Sequence, residues 1–292
     1  MRPRFLAFIL GINLLAVSAF GQKADIERHL LDTYQNKFFF LRGFYSGEKL
    51  HFGAAGIPDK ATSGDWTTDG VVFVNKLHVS GRRLTIKAER RLVTGRVAFN
   101  LVKSPDRNLS IDAELPPGEI SEQLVDAAIS KIFLTSQDAF ADLVPDYWKP
   151  CIQAGLTGGK SNCIFSVDFH AIPGLTSVKH ISESEQPATM DRSDHLVLAR
   201  VGKGVSPPRP IFSPEPPFAE AARKMKYQGT VVLGLIVDAE GLPTGIHIMS
   251  PLGCGLDEKA VQAVQSWRFK PAEKDGQPVR VEIAVEVDFH LY

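Results

Sequence analysis

The end of the chain alternates apolar and polar side chains without a break. The apolar positions are Val279, Val281, Ile283, Val285, Val287, Phe289 and Leu291. The polar face carries Arg280, Glu282, Ala284, Glu286, Asp288 and His290. A period of two over this length indicates a long β-strand with one buried face and one face in water. Any fold of this chain must therefore supply an apolar layer for one side of that strand.

The residues before this strand predict a hairpin and a helix. Residues 229–241 are a nearly continuous apolar run closed by a turn, and residues 243–250 are typical of an antiparallel mate. Residues 255–269 have the spacing of an amphipathic helix that Pro271 ends. A glycine inside the first strand, Gly234, is expected to admit a close neighbour such as the ring of Trp267. With a short helix at 218–227, the order is helix, strand, strand, helix, strand.

These residues resemble the C-terminal domain of the TonB family. The motifs are, in order, Gln228-Gly229-Thr230-Val231, Val237-Asp238-Ala239-Glu240-Gly241, Gly255-Leu256-Asp257, Trp267-Arg268-Phe269-Lys270-Pro271-Ala272 and Asp275-Gly276-Gln277-Pro278-Val279. The resemblance implies such a domain over residues 213–292, taking part in energy-coupled transmembrane transport. Its implied partner is an outer-membrane TonB-dependent transporter, bound as an added strand, and inner-membrane motor proteins are a second class of partner.

The edge of the last strand is the predicted partner-binding site, because no later element remains to cover it. The residues expected to contact the partner are Arg280, Glu282, Ala284, Glu286 and Asp288. Two alternatives stay open: the linker of the chain itself covers the edge, or a second copy pairs with it in a homodimer.

Residues 22–180 predict an α+β domain of antiparallel strands with helices packed on them. Helices are expected at 24–41, where Phe38, Phe39 and Phe40 form a buried helix end, at 119–133, and from Ser136. The predicted strands are 71–79, 84–89, 97–101, 109–115 and 163–171. Residues 181–212 are polar and then proline-rich, which predicts a linker before the last domain.

The first 21 residues are typical of a secretory signal, with Ala19-Phe20-Gly21 as the cleavage site and the periplasm as the destination. The alternative is an uncleaved inner-membrane anchor, although the apolar run is shorter than the roughly 20 residues that span a bilayer. Export permits a disulfide between Cys151 and Cys163, and Cys254 is then expected to be a small buried residue.

Composition and motifs exclude several functions. Lys and Arg together number 33, as do Asp and Glu, so no basic excess favours nucleic acid. The string AGLTGGKS at 154–161 fits a loose phosphate-binding loop but lacks the strand before it and the helix after it. No metal, cofactor or catalytic constellation is recognised, and the chain is predicted not to be an enzyme. A periplasmic ligand-binding or envelope-scaffold protein is the alternative function.

The signal predicts that the mature chain begins near Gln22 and is soluble in the periplasm. Intact-mass measurement of the exported protein, together with membrane fractionation, checks this. A full-length chain that retains Met1 in the membrane fraction would establish the anchor instead.

Overall fold

The computed structural model describes residues 9–95, 100–134, 138–152, 198–202 and 204–291, and their side chains except those of 9–21, 138, 139 and 141. Four earlier predictions lie outside these residues: the strand at 163–171, the loop at 154–161, Cys163 and the helix start at Ser136. Among the described residues, no helix is long and apolar enough to cross a membrane.

The chain is an α+β protein, as predicted. Its helices are α1 (Ile9–Tyr34), α2 (Trp66–Asp69), α3 (Glu122–Ile132), α4 (Asp138–Leu143), α5 (Glu220–Lys224) and α6 (Leu256–Gln265). Its strands are β1 (Lys37–Phe40), β2 (Lys49–Phe52), β3 (Val71–Ser80), β4 (Arg83–Thr94), β5 (Asn100–Glu114), β6 (Arg209–Phe212), β7 (Gly229–Val237), β8 (Pro243–Ser250), β9 (Arg268–Lys270), β10 (Ala272–Lys274), β11 (Gln277–Val279) and β12 (Val281–Phe289).

The first part of the chain forms a five-stranded sheet in the order β1-β3-β4-β5-β2. Its neighbours are antiparallel except for β2, which runs parallel to β5. The strands predicted at 97–101 and 109–115 belong to one element where they are described, because β5 runs unbroken from Asn100 to Glu114. The register jumps between the pairs Arg91–Lys103 and Glu89–Asn108, so residues 104–107, including Pro105, bulge out of the ladder. Proline has no N–H to pair, which explains the bulge.

The three phenylalanines form strand β1, so the prediction of a helix end there was wrong. Helix α1 stops at Tyr34, and Asn36 turns the chain with a φ of 57°. In the strand, Phe39 faces α1 and α3, whereas Phe38 and Phe40 face the opposite side. A helix end could not bury all three rings, but a strand with an apolar layer on each face can.

Strand β4 shows where the second layer lies. Residues 83–89 alternate between buried and more exposed side chains, whereas residues 90–94 are all buried. On one face, Leu84 and Ile86 pack with α1 and α3. Leu92 and Val93, which point to opposite faces near the end of the strand, both belong to a continuous core with residues of the three-stranded sheet near the C-terminus. Half of the five-stranded sheet is thus covered on both faces, and continuous burial of a strand is the expected result.

The C-terminal sheet contains the predicted hairpin and last strand, and its strand order is β12-β7-β8. Helix α6 packs on β7 and β8. Gly234 admits a close neighbour as expected, but the neighbour is not Trp267: a Cβ there would lie 2.4 Å from Nε2 of His247 and 3.1 Å from Sδ of Met249. The open position of Gly234 therefore accommodates the neighbouring strand β8, while Trp267 packs against the core on the other face.

The two sheets are joined by backbone pairing as well as by side chains. Gly253 forms a bridge with Thr94, and the N–H of Cys254 donates to the carbonyl of Val93 at 2.8 Å. A Cβ on Gly253 would lie 2.2 Å from that same carbonyl oxygen, and its φ is 87°. Only glycine permits this approach, so the loop before α6 is tied to the end of β4.

Two carboxylates at the start of α6 are buried at this junction. Asp257 accepts from the N–H groups of Leu252 and Gly253 at 2.7 and 2.6 Å and so holds the loop before the helix. Glu258 accepts from the indole N–H of Trp148 at 3.1 Å. Burial raises the pKa of Asp257 to about 6, and burial together with the nearby Asp257 and Asp65 carboxylates raises the pKa of Glu258 well above its ordinary value.

Glu258→Gln should stabilise the protein increasingly as the pH rises. Because the folded state holds the Glu258 proton to a higher pH than the unfolded chain does, the stability that this group confers falls above an ordinary pKa of about 4.5. Glutamine keeps the acceptor for Trp148 and carries no charge. Urea unfolding at a series of pH values should show a gain on the order of 1–3 kcal/mol at pH 8 that shrinks toward pH 4. A gain that is independent of pH would contradict the assignment.

The cysteines predict a labelling pattern. Cys151 is buried and disulfide-bonded, while Cys163 lies outside the described residues, so their pairing stays a prediction. Cys254 is free, and burial raises the pKa of its thiol to about 12. Native protein should therefore resist alkylation, and reductant should release Cys151 and Cys163 before denaturant releases Cys254. Ready labelling of Cys151 and Cys163 without reductant would exclude the bridge.

Candidate partner-binding edge

Strand β12 is an edge of the C-terminal sheet. It pairs antiparallel with β7 from Val281–Val237 to Phe289–Gly229. The opposite edge strand, β8, lies against the 3-10 turn at Asp146–Trp148 on the side of the five-stranded sheet. The first part of the chain therefore covers the β8 side of this sheet, and no described residue covers the β12 side along most of its length.

One contact identifies which backbone groups of β12 point outward. The N–H of Ala199 donates to the carbonyl of Arg280 at 2.9 Å, and Ala199 forms a parallel bridge with Val281. Because N–H and C=O groups alternate sides along a strand, the outward positions after Arg280 are Glu282, Ala284, Glu286 and Asp288. These are the positions that the sequence predicted for partner binding.

The edge is open from Ala284 to Asp288. Among the described residues, the backbone groups of these positions have no hydrogen-bonding partner other than β7. Arg280 differs, since its outward carbonyl is already bound by Ala199. The alternative of an edge covered by the chain itself therefore holds for the start of β12, within the part of the linker that is described, and not for Ala284–Asp288.

The side chains on the solvent face of β12 are exposed, whereas those on the other face meet the core. Glu282, Ala284, Glu286 and Asp288 are exposed, and Val281, Val287 and Phe289 are buried. Ile283 and Val285 are only half-buried although they face the core. An added strand beside β12 would cover this remaining apolar surface.

A groove of about 580 Å³ runs beside the second half of the edge. Residues 286–290 form one wall, and the segment from Ser213 to Phe218 forms the other, with Trp267 and Arg223 between them. The indole N–H of Trp267 donates to the carbonyl of Pro214 at 3.3 Å, which fixes the proline-rich segment against the sheet. The sequence did not predict this wall; its signal was the run of prolines, which favours an extended chain without internal hydrogen bonds.

The described residues of the predicted linker lie along the C-terminal sheet. Besides Ala199, Val205 forms a bridge with Lys274, and strand β6 pairs with β9. The exposed side chains of Ile211 and Phe212 in β6 are 71% and 56% accessible. This part of the linker therefore packs as a border of the C-terminal fold.

No cluster of His, Cys, Asp or Glu that could hold a metal occurs among the residues that the structure describes. Asp257 and Glu258, the carboxyl groups whose pKa values are raised by complete burial, lie at the junction of the two sheets and face no cavity at the β12 edge. The geometry around the edge offers main-chain hydrogen bonds, carboxylates and apolar surface, which are the means of binding an extended peptide.

The fold and its open edge thus define a small α+β module with an unpaired terminal strand. Residues 214–291 match the family described as Gram-negative bacterial TonB protein C-terminal. Protein TonB of Vibrio cholerae is 33% identical over 78 residues, covering 26% of this chain and 32% of that protein. Protein tonB2 of Pseudomonas aeruginosa is 33% identical over 82 residues, covering 28% of this chain and 30% of that protein.

A solved structure, the solution NMR structure of the Pseudomonas aeruginosa TonB C-terminal domain, is 19% identical with a TM-score of 0.27 and covers 32% of this chain and 94% of that chain. This chain spans about a third of the length of the curated relatives, 32% and 30%. Residues 214–291 are a TonB-family C-terminal domain.

Proposed function

We propose that this chain is an exported protein of the cell envelope whose TonB-family C-terminal domain docks an extended segment of an outer-membrane transporter. The segment adds to the edge of β12 as a further strand and takes part in energy-coupled transport. The protein acts by binding and catalyses no reaction. The observation that carries the proposal is the run of outward backbone groups from Ala284 to Asp288 beside an open groove.

The energetics of strand addition support this role. An incoming strand would form main-chain hydrogen bonds, each contributing about 0.5–1.5 kcal/mol net, with Ala284 and Glu286 at the centre. It would also cover the half-buried Ile283 and Val285. Apolar area contributes about 25 cal/mol per Å² when it is removed from water. Together these terms suit a reversible complex rather than a permanent one.

A second candidate function follows from the shared core. The C-terminal sheet is tied to the five-stranded sheet by Gly253 and by the buried Glu258, and does not stand at the end of a free spacer. A protein in which the two sheets are joined in this way could also act as an envelope scaffold, which captures an extended segment without transmitting force. A gene for a transporter with a plug domain beside the gene for this chain would favour the transport role.

Ala284→Pro should abolish capture of the segment. Proline removes an outward N–H that makes no bond within the sheet, so the fold is only weakened. The added strand, however, loses a hydrogen bond and clashes with the proline ring. The measurement is fluorescence anisotropy of labelled peptides that match the N-terminal periplasmic segments of outer-membrane transporters from the same genome. We expect affinity to fall about tenfold or more.

Two controls separate the edge from the fold. Ala284→Thr keeps the N–H and suits a strand, so it should bind like the original protein. A peptide that is N-methylated at alternate residues loses its own donors and should fail to bind the unchanged protein. If the proline variant is folded by circular dichroism and binds as tightly as before, strand addition at this edge is refuted.

A further inference from the structure

The solvent face of β12 carries a row of carboxylates beside the open edge. Glu282, Glu286 and Asp288 are exposed and lie on one face, with Ala284 between the first two. Alternate residues of a strand are about 6.6 Å apart, so the row is spaced like the side chains of a neighbouring strand. A segment added to the edge would place every second side chain against this row.

Arg280 lies two positions before Glu282 on the same face, but no cation of the described chain forms a salt bridge with the row. The residues opposite it on β7 are Ile236, Gly234, Val232 and Thr230, none of which is charged. The only side-chain hydrogen bond that these carboxylates receive from the described residues is from the hydroxyl of Thr230 to Asp288, and none of them forms a salt bridge there. The negative charge is therefore available to an incoming partner, and opposite charges directly across two strands are stabilising.

The charge also disfavours a second copy of this chain. If two β12 strands paired antiparallel about Ala284, Glu282 of one copy would face Glu286 of the other. Centring the pair on Glu286 places that carboxylate against its own copy, and centring it on Val285 places Glu282 against Asp288. Registers centred on Ala284, Val285 or Glu286, within the open part of the edge, thus set like charges across the interface, which is destabilising.

The core-facing side of β12 favours apolar side chains in an added strand. Ile283 and Val285 are half-buried there, and the groove beyond them is bordered by Val287, Phe218 and Trp267. Arg223 also borders the groove, but it is paired with Glu220 at 3.7 Å and lies over the Phe218 ring at 5.9 Å. The two faces of the added strand thus meet different chemistry.

We propose that the edge of β12 from Ala284 to Asp288 selects an extended segment in which basic side chains alternate with apolar ones. The basic side chains lie over Glu282, Glu286 and Asp288, and the apolar ones cover Ile283 and Val285 and enter the groove. This selectivity rests on the proposed strand addition and adds the chemical class of the segment. Because Ala199 occupies the start of the edge, the segment pairs only with the later residues.

The test uses three labelled peptides that share valine at every second position and carry lysine, glutamine or glutamate between the valines. With the full chain in low salt, the lysine peptide should bind about tenfold more tightly than the glutamine peptide, and the glutamate peptide should bind most weakly. At about 1 M salt, where the Debye length is about 3 Å, the three affinities should converge.

Two triple variants locate the effect. Changing Glu282→Gln, Glu286→Gln and Asp288→Asn keeps the acceptor for Thr230 and should make the lysine and glutamine peptides bind alike. Changing Asp32→Asn, Glu114→Gln and Asp142→Asn removes the same net charge from exposed positions far along the chain and should preserve the preference.

The outcomes are distinct. Equal binding of the lysine and glutamine peptides to the unchanged protein overturns the charge selectivity and leaves strand addition standing. If no peptide binds in a way that Ala284→Pro abolishes, the proposed function itself fails. A concentration-dependent dimer in sedimentation that Ala284→Pro dissolves would instead assign the edge to a second copy and overturn the proposal.

Discussion

The structure depends on the burial of half of the five-stranded sheet on both of its faces. Helices α1 and α3 cover one face along its length, and the C-terminal sheet with α6 covers the other face near the end of β4. Phe40 packs on Phe140 of α4, and Leu92, Val93 and Phe40 belong to the core that continues into the C-terminal sheet. Each buried side chain of this size contributes about 1.5–3 kcal/mol relative to exposure, so neither sheet would keep its present core without the other.

This packing decides which edge of the C-terminal sheet is open. The β8 side lies toward the five-stranded sheet, and the loop after β8 pairs with Val93 and Thr94. Strand β12 is on the far side, where Ala199 covers only its first positions. The available edge follows from the docking of two sheets and not from the C-terminal domain alone. A partner at β12 would therefore bind a rigidly supported strand.

The buried carboxylates of α6 give the junction its orientation. Asp257 satisfies the backbone of the loop that approaches β4, and Glu258 reaches the Trp148 indole from the first part of the chain. Buried charges cost stability unless they are hydrogen-bonded, so they tolerate few alternative dockings of the two sheets. The acidic row on β12 has the opposite character, since it is exposed and forms no salt bridge with the described residues. Asp257 and Glu258 thus orient the two sheets, whereas the carboxylates of β12 are available to bind a partner.

The sequence by itself determined the local elements and their faces. Strict alternation from Val279 to Leu291 predicted β12 and the side of it that faces water, because side chains alternate on any strand regardless of its neighbours. The hairpin, α6 and the TonB-family motifs were likewise predicted, and so was the polar face that carries Glu282, Ala284, Glu286 and Asp288. These features depend on residues that are close together in the chain.

Only the tertiary structure decided what each face and edge meets. The three phenylalanines were assigned to a helix end because the second apolar layer over β1 includes Phe140, which lies one hundred positions after Phe40. The room at Gly234 was assigned to Trp267, although the partner strand brings His247 to it. The contact of Ala199 with Arg280 and the proline-rich wall of the groove arise from the path of the linker. Local periodicity does not predict such distant contacts, because they depend on the packing of one sheet on another.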